Sequence, residues 1–343
     1  MSKLNQLWKR GTDFLGTKYA ILGGAMTWVS DRHLVSAISN AGGFGVIACG
    51  SMTPDILTEE IRATFKMTDK PFGVNLITMH PQLDELAQVC IDEGVQHVVL
   101  AGGLPPKPII EKLKAADRKV MCFAPALGLA KRLVKQGADA IVLEGMEAGG
   151  HIGPVSTSVL VQEIIPNLPS VPIFVAGGIG RGEAIVSYLE MGAAGCQLGT
   201  RFVCATEAQV HPDFKKAFIR ANARDAVLSP QLDQRFPIIP VRSIRNEAFD
   251  NFIKTQREVI QKFDAGELDQ TAAQLEIEHF WAGALRRAVK DGDLSGGSIM
   301  AGQSVGMVTC EQSTEEIIEE LVDQANAALE SRGAEDPDIR LVS

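Results

Sequence analysis

The stretch Ala-Ile-Val-Leu-Glu-Gly-Met-Glu-Ala-Gly-Gly-His-Ile-Gly, residues 140–153, joins a short apolar run to a glycine-rich turn that carries one histidine. The apolar run at 140–143 is typical of a buried strand. Glycines in the turn can adopt positive φ and let the backbone approach a flat ligand, and Gly150 is one of them. His151 is the residue of the turn best suited to proton transfer near neutral pH. The turn alone fits equally well a catalytic histidine and a histidine that only caps a helix.

The same pattern of a strand, a loop and a helix recurs along the first 200 residues. Short apolar or β-branched runs return roughly every 25 residues, with amphipathic helical segments between them. This alternation predicts parallel strand pairing with right-handed crossovers. Eight units favour an α/β fold of the closed (β/α)₈ TIM-barrel type, although the count leaves an open doubly wound sheet as an alternative. The predicted strands are 19–23, 44–49, 72–76, 97–101, 120–123, 140–143, 173–176 and 195–198, and the predicted helices are 54–66, 82–93, 108–116, 126–136, 158–165 and 182–191.

The regular alternation ends after residue 201, which suggests an insertion in the barrel. We predict a barrel domain at 1–204 and an inserted, mainly helical lid subdomain at 205–290, with helices at 251–263 and 268–289. Residues 291–343 are predicted to return to the barrel and to end in a helix at 314–330. Within that return, the segment 296–303 (Gly-Gly-Ser-Ile-Met-Ala-Gly-Gln) is too rich in glycine for a packed helix and could close over a ligand.

Composition limits the possible partners and compartments. The 343 residues carry a net charge of −9, which gives no electrostatic basis for binding nucleic acid or an anionic membrane surface. No apolar run approaches the roughly 20 residues of a membrane span, and the N-terminus lacks the apolar core of a signal peptide. These features predict a cytoplasmic protein with no nucleic-acid or membrane partner.

The cysteines and most histidines are predicted to be structural or solvated. Six cysteines lie scattered without a CxxC pair, so neither disulfides nor a metal site is expected. Cys196 lies within a predicted strand, which favours core packing over a nucleophilic role. Among the other histidines, His211 remains a candidate for function because it follows the eighth predicted strand closely.

Two glycine-containing segments follow the seventh and eighth predicted strands: Ala176-Gly177-Gly178 and Gly199-Thr200. This is the usual place of a phosphate site in a (β/α)₈ barrel. Backbone N–H groups there can bind a phosphate without a basic side chain. The chain has neither a Rossmann GxGxxG fingerprint nor a Walker GxxxxGK[ST] motif. The sequence therefore predicts a phosphate-bearing cofactor bound through these loops.

Together these segments resemble the FMN-dependent barrel family that includes enoyl-acyl-carrier-protein reductase II and the nitronate monooxygenases (2-nitropropane dioxygenase-like proteins). The likeness extends over nearly the whole chain. The amino-acid sequences of segments 144–153 and 296–303 are more similar to those of the enoyl reductase branch. The chain departs from the family at two places. Residues 24–26 are Gly-Ala-Met where the family has Gly-Gly-Met, and the stretch 231–245, in the predicted lid, differs from the enoyl reductase pattern, which leaves the substrate open. The matching segments are 24–29, 41–45, 70–75, 144–153, 175–179 and 198–202.

The resemblance implies an FMN site at the barrel mouth and a homodimer. The flavin ring would be bordered by the counterparts of Ala25, Met26, Asn75 and Glu144, and the phosphate would bind to the two glycine loops. Gln197 and Met300 would approach the ribityl chain or the ring. Each assignment has a structural alternative: a helix cap for Asn75, core packing for Met26 and an ion pair with lysine for Glu144.

The resemblance also implies an oxidoreductase activity. In an enoyl reductase, NADH or NADPH would supply a hydride through flavin N5 to a 2-enoyl thioester. His151 would donate the proton or polarise the thioester carbonyl, and the protein would supply position and electrostatics around the cofactor. Alternatives are oxidation of alkyl nitronates by O₂ and reduction of quinones by NADH. A flavin-binding barrel without turnover is the least favoured interpretation.

Overall fold

A computed structural model of the chain describes residues 2–238 and 240–333. Its centre is a sheet of eight parallel strands in the order β1-β9-β8-β6-β5-β4-β3-β2. A parallel bridge between Leu22 and Phe44 connects the first and last strands of this order and closes the ring. The (β/α)₈ TIM-barrel prediction is confirmed, and the open doubly wound alternative is wrong. The central strands are β1 (Ile21–Gly23), β2 (Gly45–Ala48), β3 (Phe72–Ile77), β4 (His97–Ala101), β5 (Lys119–Phe123), β6 (Ala140–Glu144), β8 (Ile173–Ala176) and β9 (Gly195–Leu198).

Helices cover the outside of the barrel, as expected for crossovers between parallel strands. The helix at 314–333 packs along the helix at 182–190, and a Cβ at Gly182 would lie 2.1 Å from the carbonyl oxygen of Leu321, so this close contact requires glycine. Within the two described ranges, no helix combines the length and the apolar character needed to cross a membrane. The helices are α1 (Lys3–Leu7), α2 (Lys9–Leu15), α3 (Arg32–Asn40), α4 (Pro54–Met67), α5 (Leu83–Asp92), α6 (Lys107–Ala115), α7 (Leu127–Lys135), α8 (Thr157–Ile164), α9 (Gly182–Glu190), α10 (Pro212–Arg220), α11 (Glu247–Asp264), α12 (Gln270–His279), α13 (Ala284–Arg286) and α14 (Thr314–Gly333).

Helix α2 closes the amino-terminal end of the barrel, a feature the sequence analysis did not predict. Leu15 is fully buried and, with Phe14, packs against the side chains that fill the barrel interior. The carbonyl oxygen of Phe14 accepts a hydrogen bond from Lys119 Nζ and lies 3.0 Å from His97 Nε2. Because these two residues begin β5 and β4, α2 lies at the amino ends of the strands, opposite the loops that carry the candidate site.

We expect Leu15→Ala to lower the free energy of unfolding by about 2–5 kcal/mol, the usual cost of emptying a well-packed leucine site. Urea unfolding followed by circular dichroism measures the change. Ile56→Ala on α4 is the matched control, since Ile56 is 49% exposed and an exposed substitution usually costs less than about 0.5 kcal/mol. Equal midpoints for the two variants would contradict a stabilising role for this helix.

The region after the barrel strands contains more than the predicted helices. Two strands, β10 (Ala226–Leu228) and β11 (Val241–Ile244), pair with each other, and β11 also pairs with the two-residue strand β7 (Gly150–His151). The single predicted helix at 268–289 is wrong, because the chain turns at Gly283 with φ +68° between α12 and α13. Phe236, Phe252 and neighbouring apolar residues form a separate hydrophobic cluster. The division at 1–204, 205–290 and 291–343 stays a prediction.

The predicted core role of Cys196 is confirmed, since the residue is fully buried in β9. Burial raises the pKa of its thiol, so the reactive thiolate form is disfavoured. His211 caps helix α10, where its Nδ1 accepts a hydrogen bond from the backbone N–H of Asp213 at 3.2 Å. This contact gives His211 a structural role.

Candidate active site

The carboxyl ends of the barrel strands bring most of the predicted site residues to one mouth. In the sheet register, Glu144 lies beside Ala176, and Ala176 lies beside Gln197. These three residues therefore form a row across β6, β8 and β9. Ala25 packs against the cluster that fills the barrel interior. A Cβ at Gly199 would lie 3.5 Å from Met26 Sδ, so Met26 contacts the loop after β9.

Asn75 lies on another side of the same mouth. It is buried within β3, and its Nδ2 donates a hydrogen bond to the carbonyl oxygen of Val99 at 3.4 Å. A residue inside a strand cannot cap a helix, so that alternative for Asn75 is wrong. Met26 is partly buried and packs against the large hydrophobic cluster formed by the barrel strands and the surrounding helices, as well as against Gly199. It therefore combines a packing contact with a position near the mouth.

The two predicted phosphate loops have free donors at adjacent strand ends. Gly177 and Gly178 adopt φ values of +102° and +73°, which favour glycine. The backbone N–H groups of Gly177, Gly178 and Gly199 donate no hydrogen bond to any residue within 2–238 and 240–333. Polar backbone groups of a folded chain normally have a partner. These donors match the acceptor oxygens of a phosphate, so the residues present fit the phosphate group of FMN.

His151 lies on β7 and is held by the region after the barrel. It pairs with Val241 of β11, and the N–H of Ile152 donates to the carbonyl oxygen of Pro240 at 3.1 Å. The side chain stays accessible to solvent, while partial burial of its ring lowers the pKa of the imidazole below its usual value. A neutral imidazole can donate at one nitrogen and accept at the other. The helix-cap alternative is wrong, since α8 begins at Thr157 after Ser156.

The loop at 145–149 is fixed by neighbouring elements. A Cβ at Gly145 would lie 1.9 Å from Thr157 Oγ1, so α8 packs directly on the loop. The Glu147 carboxylate accepts hydrogen bonds from the N–H and Oγ1 of Thr157 at 2.9 and 2.8 Å. The carbonyl oxygen of Glu147 accepts from the N–H of Gln303 at 2.9 Å. These contacts hold the loop against α8 and the return segment.

The glycine-rich return segment forms another wall of the site. The N–H of Gly302 donates to Thr200 Oγ1 at 2.9 Å. Met300 forms an antiparallel bridge with Ser243, and a Cβ at Gly150 would lie 3.5 Å from Met300 Sδ. The structure thus brings Met300, Gly150 and Thr200 to the mouth with the residues of the barrel loops.

The Glu144 carboxyl lies at the mouth and forms no ion pair in the described parts of the chain. The predicted alternative, an ion pair with lysine, is therefore not present among those residues. Burial raises the pKa of Glu144 from its ordinary value of 4.5 to about 8. Desolvation disfavours the charged form, so the folded protein holds this proton at neutral pH. A protonated carboxyl can donate one hydrogen bond as well as accept others.

We expect Glu144→Gln to remove part of the pH dependence of stability in the flavin-free protein. Between about pH 5 and 8 the folded state keeps the Glu144 proton and the unfolded chain has released it. The free energy of unfolding therefore falls as pH rises, with a limiting slope of about 1.4 kcal/mol per pH unit. Urea unfolding across this range should give a flatter curve for Glu144→Gln than for the wild type. The control Glu85→Gln, at an exposed position on α5, should keep the wild-type curve, and a wild-type slope in Glu144→Gln would contradict the prediction.

Three residues that shape this site were not predicted from the sequence. They are Glu147 and Thr157, which fix the loop before His151, and Arg242, which donates to the carbonyl oxygen of Met146 from β11 at 2.9 Å. Ser156, directly before the helix that begins at Thr157, is a recognisable helix-start signal. The run Val-Arg-Ser-Ile at 241–244 has its apolar residues at the two ends and shows no period-2 alternation, so the strand could not be predicted from this pattern.

Comparisons with known proteins agree with this architecture. The family model described as nitronate monooxygenase matches residues 9–324. FabK from Thermotoga maritima, an enoyl-acyl-carrier-protein reductase II, has a solved structure that is 36% identical and covers 94% of this chain and 98% of its own, with a TM-score of 0.85. A nitroalkane oxidase from Streptomyces ansochromogenes is 25% identical, covers 94% of this chain and 99% of its own, and has a TM-score of 0.76.

Curated relatives include a Mycobacterium tuberculosis protein named (3aS,4S,5R,7aS)-5-hydroxy-7a-methyl-1-oxo-octahydro-1H-indene-4-carboxyl-CoA dehydrogenase. It is 29% identical over 94% of this chain and 97% of its own length. A probable nitronate monooxygenase from Staphylococcus saprophyticus is 28% identical over 92% of this chain and 97% of its own length. These matches confirm the resemblance inferred from the motifs and indicate a flavin-dependent oxidoreductase of the enoyl reductase II or nitronate monooxygenase kind. The chain belongs to the nitronate monooxygenase family.

Proposed function

We propose that the protein binds FMN at the barrel mouth and uses NADH or NADPH to reduce a 2-enoyl thioester. The observation that carries the cofactor assignment is the set of free N–H donors at Gly177, Gly178 and Gly199 on adjacent strand ends. They suit a phosphate group that needs no basic side chain. Ala176 and Thr200 complete the two phosphate loops.

The remaining cofactor residues would surround the flavin. We assign Ala25, Met26, Asn75 and Glu144 to the border of the ring, and Gln197 and Met300 to the ribityl chain or the ring. Gly150, with φ +79°, would let the backbone come close to the ring. Bound FMN would supply the hydride chemistry, accepting a hydride from the reduced nucleotide and passing it to the substrate.

His151 would handle the proton of the reaction. When a hydride reaches the β-carbon of a 2-enoyl thioester, the α-carbon must gain a proton. An imidazole whose pKa is lowered by burial can hydrogen-bond the thioester carbonyl through its N–H, and this proton can move to the α-carbon. The solvent access of the ring allows it to be reprotonated.

A thioester is favoured by the relatives. FabK is 36% identical to this chain, and the M. tuberculosis relative is named for a carboxyl-CoA compound, which is a thioester. Oxidation of alkyl nitronates by O₂ is the second candidate, because the family model and the staphylococcal relative carry that name. His151 suits either reaction, so the electron donor must distinguish them.

Flavin absorbance of the purified protein under anaerobic conditions tests the proposal. Addition of NADH, and separately of NADPH, should bleach the flavin, and a 2-enoyl-CoA added next should restore the absorbance. Bleaching that only a quinone reverses would favour quinone reduction. No bleaching with either nucleotide would refute the enoyl reductase assignment, and O₂ uptake with an alkyl nitronate would then support the second candidate. Size-exclusion chromatography of the same sample tests the predicted homodimer.

A further inference from the structure

Arg242 is a buried arginine on β11 whose side chain reaches the loop before His151. It is only 4% exposed. Its Nε donates to the carbonyl oxygen of Met146 at 2.9 Å, and its Nη1 donates to the carbonyl oxygen of Ala226 at 2.7 Å. The guanidinium therefore joins the loop at 145–149 to β10. None of the ion pairs found in the described ranges involves Arg242.

Stability alone is a weak reason for an arginine at this position. Burial lowers the pKa of the Arg242 guanidinium, and the negative charge of Glu147 acts in the opposite direction. Taking a cation out of water is costly, and an apolar side chain of similar volume often serves a buried site at least as well. A planar guanidinium does have one property that such a side chain lacks: it directs several N–H donors at fixed angles.

Arg242 contacts two parts of the turn that carries His151. Along the backbone, β11 pairs with Gly150 and His151, and Arg242 lies directly opposite Gly150. Through its side chain, the same residue holds Met146, which precedes His151 by five positions. The loop has other supports: Thr157 of α8 and Gln303 of the return segment donate to Glu147. In addition, the loop's own backbone donates to the carbonyl oxygens of Ala176 and Val155. Arg242 is thus the side-chain connection from β11 to this loop.

We propose that Arg242 is a positioning residue that holds the loop at 145–149 so that His151 is oriented toward the substrate. Its effect passes through the loop, and it makes no contact with the reacting atoms. A displacement of about 1 Å in a catalytic group can cost up to about 10²-fold in rate. Arg242→Lys should act as a partial substitute, because a single ammonium group cannot reproduce the arginine fork.

Hydrogen exchange of the purified holoprotein measures the loop directly, and it does not depend on the proposed reaction. We compare Arg242→Ala, Arg242→Lys and the control Arg245→Ala. Arg245 lies three residues further along the chain with an exposed side chain that pairs with Asp250. Exchange in peptides covering 145–152 should be fastest in Arg242→Ala and intermediate in Arg242→Lys. It should stay unchanged in Arg245→Ala, and peptides from the central strand β4 should not change in any variant.

Steady-state kinetics give the second readout, which rests on the proposed reductase function. Arg242→Ala should lose about 10- to 100-fold in kcat, with KM and FMN content close to those of the wild type. Millimolar guanidinium ion should restore part of the lost rate, which a general loss of folding would not allow. Arg245→Ala should keep the wild-type kcat.

Loop exchange in Arg242→Ala equal to that in Arg245→Ala, or a kcat within twofold of the wild type, would overturn the proposal. If Arg242→Ala also speeds hydrogen exchange in the β4 peptides, Arg242→Lys is the deciding variant. Faster exchange confined to 145–152 in Arg242→Lys supports the positioning role, and wild-type exchange in that segment refutes it. A wild-type protein that fails to reduce enoyl thioesters would refute the proposed function, while the exchange results would still test the role of Arg242.

Discussion

Replacing His151 with alanine is expected to lower the turnover of a 2-enoyl thioester by about 10²–10⁴-fold, the usual contribution of a placed general acid. The physical reason is that the carbonyl and the α-carbon lose their proton donor, while the groups assigned to the cofactor remain in place. The flavin spectrum and the FMN content should therefore match those of the wild type. Stopped-flow absorbance separates the two half-reactions. Flavin reduction by NADH should stay close to the wild-type rate, and reoxidation by the enoyl thioester should become slow.

His33→Ala is the matched control for this experiment, since His33 is exposed on helix α3. It should keep wild-type rates in both half-reactions. Unchanged reoxidation in His151→Ala would show that another group supplies the proton. Loss of FMN from His151→Ala would instead show that His151 serves mainly to hold the cofactor.

Replacing Gly178 with aspartate is expected to weaken FMN binding by about 10²-fold or more. Gly178 has φ +73° and an N–H without an acceptor in the described chain, in the loop assigned to the phosphate. Two like charges about 4 Å apart repel by about 4 kcal/mol at an effective dielectric constant of 20. Each 1.4 kcal/mol lowers affinity about tenfold. Fluorescence titration of the flavin-free variant with FMN measures the dissociation constant.

Gly178→Asn isolates the charge from the change in shape. Asparagine and aspartate have nearly the same size, and both tolerate positive φ better than most residues. A Cβ at position 178 would lie 2.9 Å from Glu147 Cβ, so both variants require the same small shift. The asparagine variant should therefore bind FMN more tightly than the aspartate variant. Equal dissociation constants would place the phosphate elsewhere.

The periodic part of the chain could be predicted to within a few residues. The strand predicted at 140–143 ends one residue later, at Glu144, and the helix predicted at 54–66 is α4, Pro54–Met67. Helices α1, α2 and α3 were not among the predicted helices. Helix α2 precedes the first strand and is therefore not part of the alternation of strands and helices. Its residues are buried because the helix packs against the end of the barrel.

The candidate site was predictable at the strand ends and less so elsewhere. Ala176, Gly177, Gly178, Gly199 and Thr200 follow strands that the sequence predicts, so their common location follows from the closed barrel. The approach of Met300 to Gly150 could not be predicted in this way. These residues lie 150 positions apart, and no local periodicity links them. The assignment of each residue to the flavin stays a prediction.

The sequence by itself determined the eightfold alternation of strands and helices, because apolar strands and amphipathic helices have short periods that are visible within one window of the chain. It also determined the two glycine loops at adjacent strand ends. Closure into a barrel, rather than an open sheet, was decided by the tertiary structure. Only the tertiary structure decided that His151 lies on a strand, paired with Val241 about 90 residues later, next to the pair formed by Gly150 and Arg242. Strands of two and four residues have almost no pattern of their own. Their pairing is therefore stabilised by the folded barrel and by the long-range contacts around it.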